Sequence, residues 1–308
     1  MTERQTYRNW VEIDLDSFRH NWNEIRRLVG SDVRVMQVVK ADAYGHGAIE
    51  ISKAALNNGV GCLGVANADE GIQLRVSGIE APVIILSPPT DSEIDDILKY
   101  SLTPSVSDIV FARELNRRAG EQDRVLAVHV EVDTGMGRGG ILYEDAIDVV
   151  TSIAGLEHLS IEGIFSHLSV SECADDPYNE KQGSLFRELL DRLQERGIEI
   201  PVKHLANSGG VINFADFHFD LVRPGIMTYG IHPGPDTKSR VDLVPVMTFK
   251  TTIVLMKEVE ARYSVGYGRT FRTEAPAKIA TIPVGYGDGY GVILSNQAEA
   301  LVRGHRVP

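Results

Sequence analysis

The chain has 308 residues, 43% apolar and 24% charged, which is ordinary for a folded protein and sufficient for one large α/β domain and part of a second. A formal net charge of −12 argues against nucleic acid or an anionic membrane as a main partner, and the two cysteines, Cys62 and Cys173, form neither a metal spacing nor a disulfide framework. The first residues lack an apolar leader, and no run of about 18 apolar residues occurs, so the expectation is a cytoplasmic protein without a membrane span.

Trp10 to Leu15 alternates like a strand, and Asp16-Ser17 could cap a helix that runs to about Leu28 and closes at Gly30. Strands and helices then alternate. The strand candidates are Val33–Val39, Cys62–Val65, Val83–Leu86, Leu102–Ser105, Val125–Val132, Ile161–Phe165, Val202–Leu205 and Leu221–Val222. The helix candidates between them are His46–Asn57, Ala68–Val76, Ser92–Tyr100, Asp108–Arg118, Glu144–Ala154 and Gln182–Arg196. Eight strands with crossover helices predict a (β/α)₈ TIM-type barrel over residues 1–242, with a doubly wound sheet as the competing architecture. The eighth unit is short on helix. From about 243 to 308 the pattern becomes β-branched and turn-rich, which reads as a partial all-β domain.

In such a barrel the active site collects at the C-terminal ends of the strands. Reading those ends in order gives Lys40, then Leu86-Ser87, Asp133 to Arg138, Ser166-His167, Asn207 to Gly210, and Arg223 to Ile226. A lysine at a strand end is partly withdrawn from water, which disfavours its ammonium form and suits a Schiff-base nucleophile. Gly-bearing loops after strands seven and eight suit a phosphate. Pyridoxal 5′-phosphate, a phosphorylated aldehyde, fits both. Each element also has an ordinary reading: a solvent-reaching lysine, a core histidine, a plain turn, surface arginines. Their convergence on one predicted rim favours a site. Gly135 to Gly140 also fits G-x-G-x-x-G after a strand, which keeps a dinucleotide site as the runner-up.

The motifs together resemble those of the alanine racemase family, fold-type III pyridoxal-phosphate enzymes. They are Val39-Lys40-Ala41-Asp42-Ala43-Tyr44-Gly45-His46-Gly47, Val132 to Arg138, Phe165-Ser166-His167, Ala206-Asn207-Ser208, Arg223 to Gly230, Val265 to Gly268 and Pro283 to Tyr290. The resemblance implies a homodimer with shared active sites. It implies cofactor contacts from Lys40, Tyr44, Leu86, His167, Ser208, Arg223, Gly225 and Ile226, with Arg223 facing the ring nitrogen. Arg138 and Tyr286 would meet a small amino-acid substrate. Lys40 and Tyr267 of the partner subunit would be the two bases, and the D-alanine made would supply cell-wall peptidoglycan. Other activities weighed are racemisation of another small amino acid such as serine and a fold-type III decarboxylation, which needs no tyrosine base.

Two departures stand out. Where this family usually carries a lysine, often carbamylated, this chain has Glu131, expected to be the charge partner of a buried Arg138. The family's β-domain also continues beyond the point at which this chain stops, so a fragment is expected.

Overall fold

The computed structural model describes residues 7–308. The chain divides into two compact units, Asp14–Val246 and Met247–Pro308, the second joined by the N-terminal segment that ends at Ile13.

The larger unit follows strand β1 (Asn9–Ile13), which belongs to the other unit. Its own strands are β2 (Arg34–Val38), β3 (Cys62–Val65), β4 (Val83–Ile85), β5 (Thr103–Val106), β6 (Leu126–Asp133), the short β7 (Ile141–Leu142), β8 (Leu159–Phe165), β9 (Val202–His204) and β10 (Leu221–Val222). Eight of them pair in parallel in the order β10-β2-β3-β4-β5-β6-β8-β9, with β7 appended to β6. Two backbone hydrogen bonds close the remaining seam: Asp220 N–H donates to Lys203 C=O (3.1 Å) and Arg223 N–H to Ala206 C=O (2.9 Å). The result is the expected (β/α)₈ barrel rather than an open doubly wound sheet. Met36, Cys62, Ile84, Val202 and Leu221 pack as one buried cluster, partly covered by Leu86. Gly64 keeps its place in that layer because a Cβ there would come within 2.8 Å of the Met36 sulfur.

The first helix, Leu15–Val29, buries Phe18, Trp22, Ile25 and Val29 on one stripe, the 3.6-residue repeat of an amphipathic helix. Its cap differs from the expectation. Asp14, not Asp16 or Ser17, is the N-cap, and its carboxylate accepts from Asp16 N–H (2.9 Å) and Ser17 N–H (3.3 Å). This helix also explains the helix-poor eighth unit, because it packs against the 3₁₀ turn Ile226–Tyr229 that follows β10. Buried Asn21 ties them together, donating to Thr228 C=O (3.2 Å) and Val244 C=O (2.8 Å) and accepting from Val244 N–H (2.8 Å).

The smaller unit is antiparallel. Strand β1 pairs with β11 (Met247–Thr251), β12 (Leu255–Val259) with β15 (Ala277–Thr281), β13 (Ser264–Val265) with β14 (Phe271–Arg272), and β16 (Ala300–Val302) with β17 (His305–Val307). The N-terminal strand lies with this unit, whereas the sequence reading placed residues 1–242 in one domain. Alternation marks a strand but not its partner; the register Asn9↔Thr251 to Ile13↔Met247 is a non-local fact. Among the described residues, no helix is long and apolar enough to cross a membrane.

Candidate active site

The barrel's C-terminal rim encloses a cavity of about 330 Å³. Lys40, Tyr44, Leu86, Arg138, His167, Ser208, Arg223, Gly225 and Ile226 all line it. Glu131 lies deeper, on β6, and is only 4% exposed. Tyr267 and Tyr286 belong to the β unit, where they are 94% and 72% exposed. Ser171, Glu172 and Pro233 also line the cavity; no motif in the sequence marks them.

Lys40 follows β2 and opens a turn the sequence did not announce. Ala41, Asp42, Ala43 and Tyr44 all have positive φ, between 52° and 55°, so the chain makes one left-handed helical turn where a loop was expected. For residues with a Cβ this conformation costs on the order of 1–2 kcal/mol each, and such strain gathers at functional sites. The exit of the turn is tied down. The Asp42 carboxylate accepts from Ala48 N–H (2.7 Å), and the His46 imidazole Nδ1 lies 3.1 Å from both Ala43 C=O and Tyr44 C=O. The Tyr229 ring lies against Tyr44 and His46, with centroids 5.2 and 4.5 Å apart. Lys40 and Tyr44 thereby face the same cavity.

Burial lowers the pKa of Lys40 from the ordinary lysine value; Arg138 lowers it further, Glu70 opposes, and Arg223 adds to the lowering. Burial raises that of Tyr44, which keeps it a neutral hydroxyl donor at neutral pH.

Ser208 opens a short helix, Ser208–Asn213, capped by Asn207, whose Oδ1 accepts from Gly210 N–H (3.1 Å). The Ser208 hydroxyl accepts from Gly225 N–H at 2.9 Å and Met227 N–H at 3.4 Å, joining the loops after β9 and β10. Gly225 is needed here, because a Cβ would stand 2.7 Å from the Tyr44 hydroxyl. The Tyr44 and Ser208 hydroxyls and the Lys40 amine therefore converge on one side of the cavity, which suits a phosphate and an aldehyde.

Arg223 forms the floor. It is 4% exposed and donates to Ser166 C=O (2.6 Å), Leu205 C=O (3.2 Å) and His204 Nδ1 (2.7 Å), with His167 Nδ1 at 3.4 Å and the Phe165 ring 5.1 Å away. A guanidinium only donates, so His204 carries its proton on Nε2, which lies 2.8 Å from His129 Nδ1. That bond leaves the His129 proton on its own Nε2. Burial and the Arg223 charge push His204 and His167 well below the usual histidine range and His129 to about 4. All three are neutral at neutral pH. Arg223 itself, brought down to about 9 by burial against the support of Glu131, stays a cation.

Two expectations change at Arg138. The residue is exposed at the rim rather than buried. Among the described residues, no ion pair within 4 Å joins it to Glu131, whose Oε2 instead accepts from the Ser107 hydroxyl at 3.2 Å. The neighbouring Gly139 and Gly140 lie against Glu131, with Cβ positions 2.9 Å from its Oε2 and 3.1 Å from its Cγ. Burial raises the Glu131 pKa, while the Ser107 hydrogen bond, then Arg138 and Arg223, pull it back. The dinucleotide reading of Gly135–Gly140 loses its basis here. The Gly135 and Gly137 amides that would cradle a pyrophosphate already donate to the Asp133 carboxylate, at 2.8 and 3.0 Å.

Comparison with known proteins identifies the family. The alanine racemase N-terminal domain matches residues 13–233 and the alanine racemase C-terminal domain matches residues 246–308. The alanine racemase of Halothermothrix orenii is 42% identical over 308 residues, which is 100% of this chain and 81% of the relative. The solved structure of the alanine racemase of Clostridium difficile 630 superposes with a TM-score of 0.94 at 34% identity, covering 98% of this chain and 80% of that one. The alanine racemase of Bartonella henselae with covalently bound pyridoxal phosphate superposes at 0.88 and 28% identity, over 98% of this chain and 82% of that one. Matched by both family domains, with its lysine, arginines and Gly-bearing loops gathered on one barrel rim, the chain belongs to the alanine racemase family of isomerases, which interconvert L- and D-alanine.

Proposed function

We propose that the chain racemises alanine with pyridoxal 5′-phosphate held in the rim cavity, through two bases, Lys40 and Tyr267 of the partner subunit. The observation that carries this reading is the Lys40–Tyr44–Ser208–Gly225 side of the cavity, where a partly buried amine faces a phosphate-sized set of donors. Lys40 would hold the cofactor's aldehyde carbon, and Tyr44, Ser208 and the Gly225 and Ile226 backbone its phosphate. The bound cofactor supplies an electron sink that makes the substrate Cα–H acidic.

The protein residues divide the remaining work. Arg223 would donate to the ring nitrogen and, being a permanent cation, give that nitrogen no proton, so the sink stays weak and side reactions are held back. Leu86 and His167 would bound the cofactor ring. Exposed Arg138 would take the substrate carboxylate in bidentate fashion, and Glu131 would steady it from below at longer range than an ion pair. Lys40, its pKa lowered by burial, would accept or return the Cα proton on one face. Tyr267 of the partner subunit would serve the other face, and Tyr286 would line the substrate entrance. A homodimer follows from that division, since Tyr267 has no such surroundings in its own unit. The D-alanine formed in the cytoplasm would feed peptidoglycan synthesis.

Borohydride reduction of the pyridoxal-phosphate-loaded protein, followed by peptide mapping, should place the label on Lys40. A label on another lysine overturns the assignment. A chiral assay with alanine and serine in parallel should show turnover of alanine in both directions and little of serine; loss of carbon dioxide without inversion would favour a decarboxylase.

A further inference from the structure

We propose that Glu70 is a positioning residue for Lys40: its carboxylate anchors the entry of the left-handed turn that carries the lysine and sets a negative charge against the two arginines that face the amine. The exit of that turn is secured by Asp42 and His46, and at its start Ala43 N–H donates to Val39 C=O at 2.8 Å, but the first amide of the turn, that of Ala41, is held by a distant segment. Ala41 is the first residue of the turn with positive φ. Glu70 Oε1 accepts its N–H at 2.7 Å, across 29 residues of sequence. The second oxygen, Oε2, accepts from Ala66 N–H, also at 2.7 Å. Ala66 follows β3, the sheet neighbour of β2, so one carboxylate bridges the exits of two adjacent barrel strands.

Glu70 is itself held. It sits in the first turn of the helix Ala68–Val76, and its N–H donates to the capping Asn67 Oδ1 at 3.0 Å. Hydrogen bonds to an ionised carboxylate are the stronger kind, which is what a run of strained residues requires. The charged and titratable groups that share the cavity with the Lys40 amine or act on it are Arg138 from the loop after β6, Arg223 after β10, His167 and Glu172 after β8, Tyr44 on the same turn and Glu70. His167 and Tyr44 are neutral at neutral pH, and both arginines disfavour the ammonium. Glu70 favours it. The same side chain thus fixes where the amine stands and moderates how readily it loses its proton.

This inference rests on Lys40 being the reactive amine of the proposed function, so two of its readouts, amine labelling and amide exchange, need no cofactor. Cofactor-free protein is labelled with 1-fluoro-2,4-dinitrobenzene from neutral to alkaline pH, and Lys40 is read by peptide mapping against exposed Lys53. In Glu70→Gln the midpoint for Lys40 labelling should move to lower pH, while affinity for pyridoxal phosphate falls roughly tenfold. A more reactive amine that holds its aldehyde less well is not what general loosening of the fold produces. Asp69→Asn, at the exposed neighbouring carboxylate, should change neither reading. Adding Ala41→Gly to Glu70→Gln should restore affinity, because glycine adopts positive φ freely, but leave the midpoint at lower pH. An unshifted midpoint in folded Glu70→Gln overturns the proposal. So does rapid hydrogen exchange of the Ala41 amide in the wild-type protein, a measurement that needs no variant. If pyridoxal phosphate were not the cofactor, the labelling and exchange results would be unaffected.

Discussion

The barrel and the β unit place their functional side chains by opposite means. In the barrel, position is over-determined. Arg223 is fixed by two carbonyls, two imidazoles and an aromatic face, and the loops bearing Ser208 and Gly225 are bonded to each other. In the β unit, Thr273 is the one fully buried residue among those described, and it serves the local fold by donating to Glu260 C=O at 2.7 Å. Tyr267 stands almost wholly exposed in that unit. A general base must be held within hydrogen-bond reach of its proton, and an ordinary tyrosine hydroxyl has a pKa of about 10. Among the described residues of its own unit, no side chain hydrogen-bonds the Tyr267 hydroxyl. The contrast teaches that the barrel fixes its rim residues from within, whereas Tyr267, in the proposed role of second base, would need surroundings from outside its unit.

The strongest way to break this contrast is Tyr267→Phe in the cofactor-loaded protein. Racemisation should fall about 10²–10⁴-fold in both directions, since in the proposed mechanism each direction would use both bases. Thermal stability should hold within about 0.5 kcal/mol, as expected for an exposed site. Cα–deuterium exchange should survive better for D-alanine, whose proton would face Lys40, than for L-alanine. Equal loss of exchange for both enantiomers would remove the two-base assignment.

The second test concerns stability against pH, and it should report on the barrel alone. His129, His167 and His204 have folded-state values below the unfolded value of about 6.5. The unfolded chain therefore binds more protons below that pH, and stability falls as pH falls. For His129 the window runs from about 6.5 down to about 4, its folded value. Urea unfolding across that window should show stability rising with pH by about 1.4 kcal/mol per unit for each such histidine. His129→Gln should flatten the slope by about one proton. A slope unchanged in this variant would refute the neutral buried chain.

The smallest effect is expected at Glu131, which in the proposed function would steady exposed Arg138 from beyond ion-pair distance. Glu131→Gln should raise KM for alanine by roughly two- to fivefold, the size of a weak solvent-screened charge interaction, with kcat little changed. Wild-type activity should not respond to bicarbonate, because the carboxylate is built in. A bicarbonate-dependent rate, or a KM unaltered in the variant, would end this role.

Much of the barrel was legible because its signals are local. Apolar runs with β-branched residues marked the strands, glycines marked many of the helix ends, and the strand ends named Lys40, His167, Ser208 and Arg223 as neighbours before any coordinates. What local pattern could not carry was contact between distant segments. Of Ala41-Asp42-Ala43-Tyr44 only Asp42 readily tolerates left-handed backbone; the turn exists because Glu70, His46, Tyr229 and the helix after Asp42 hold it. A strand's alternation did not say that Asn9–Ile13 would pair with Met247–Thr251. Nor could residue type alone decide that Arg138 would lie exposed while Glu131 lay buried two strand positions before Asp133. Side-chain period fixes which face of an element is apolar; burial, strain and charge at a site depend on what the closed barrel brings to that face.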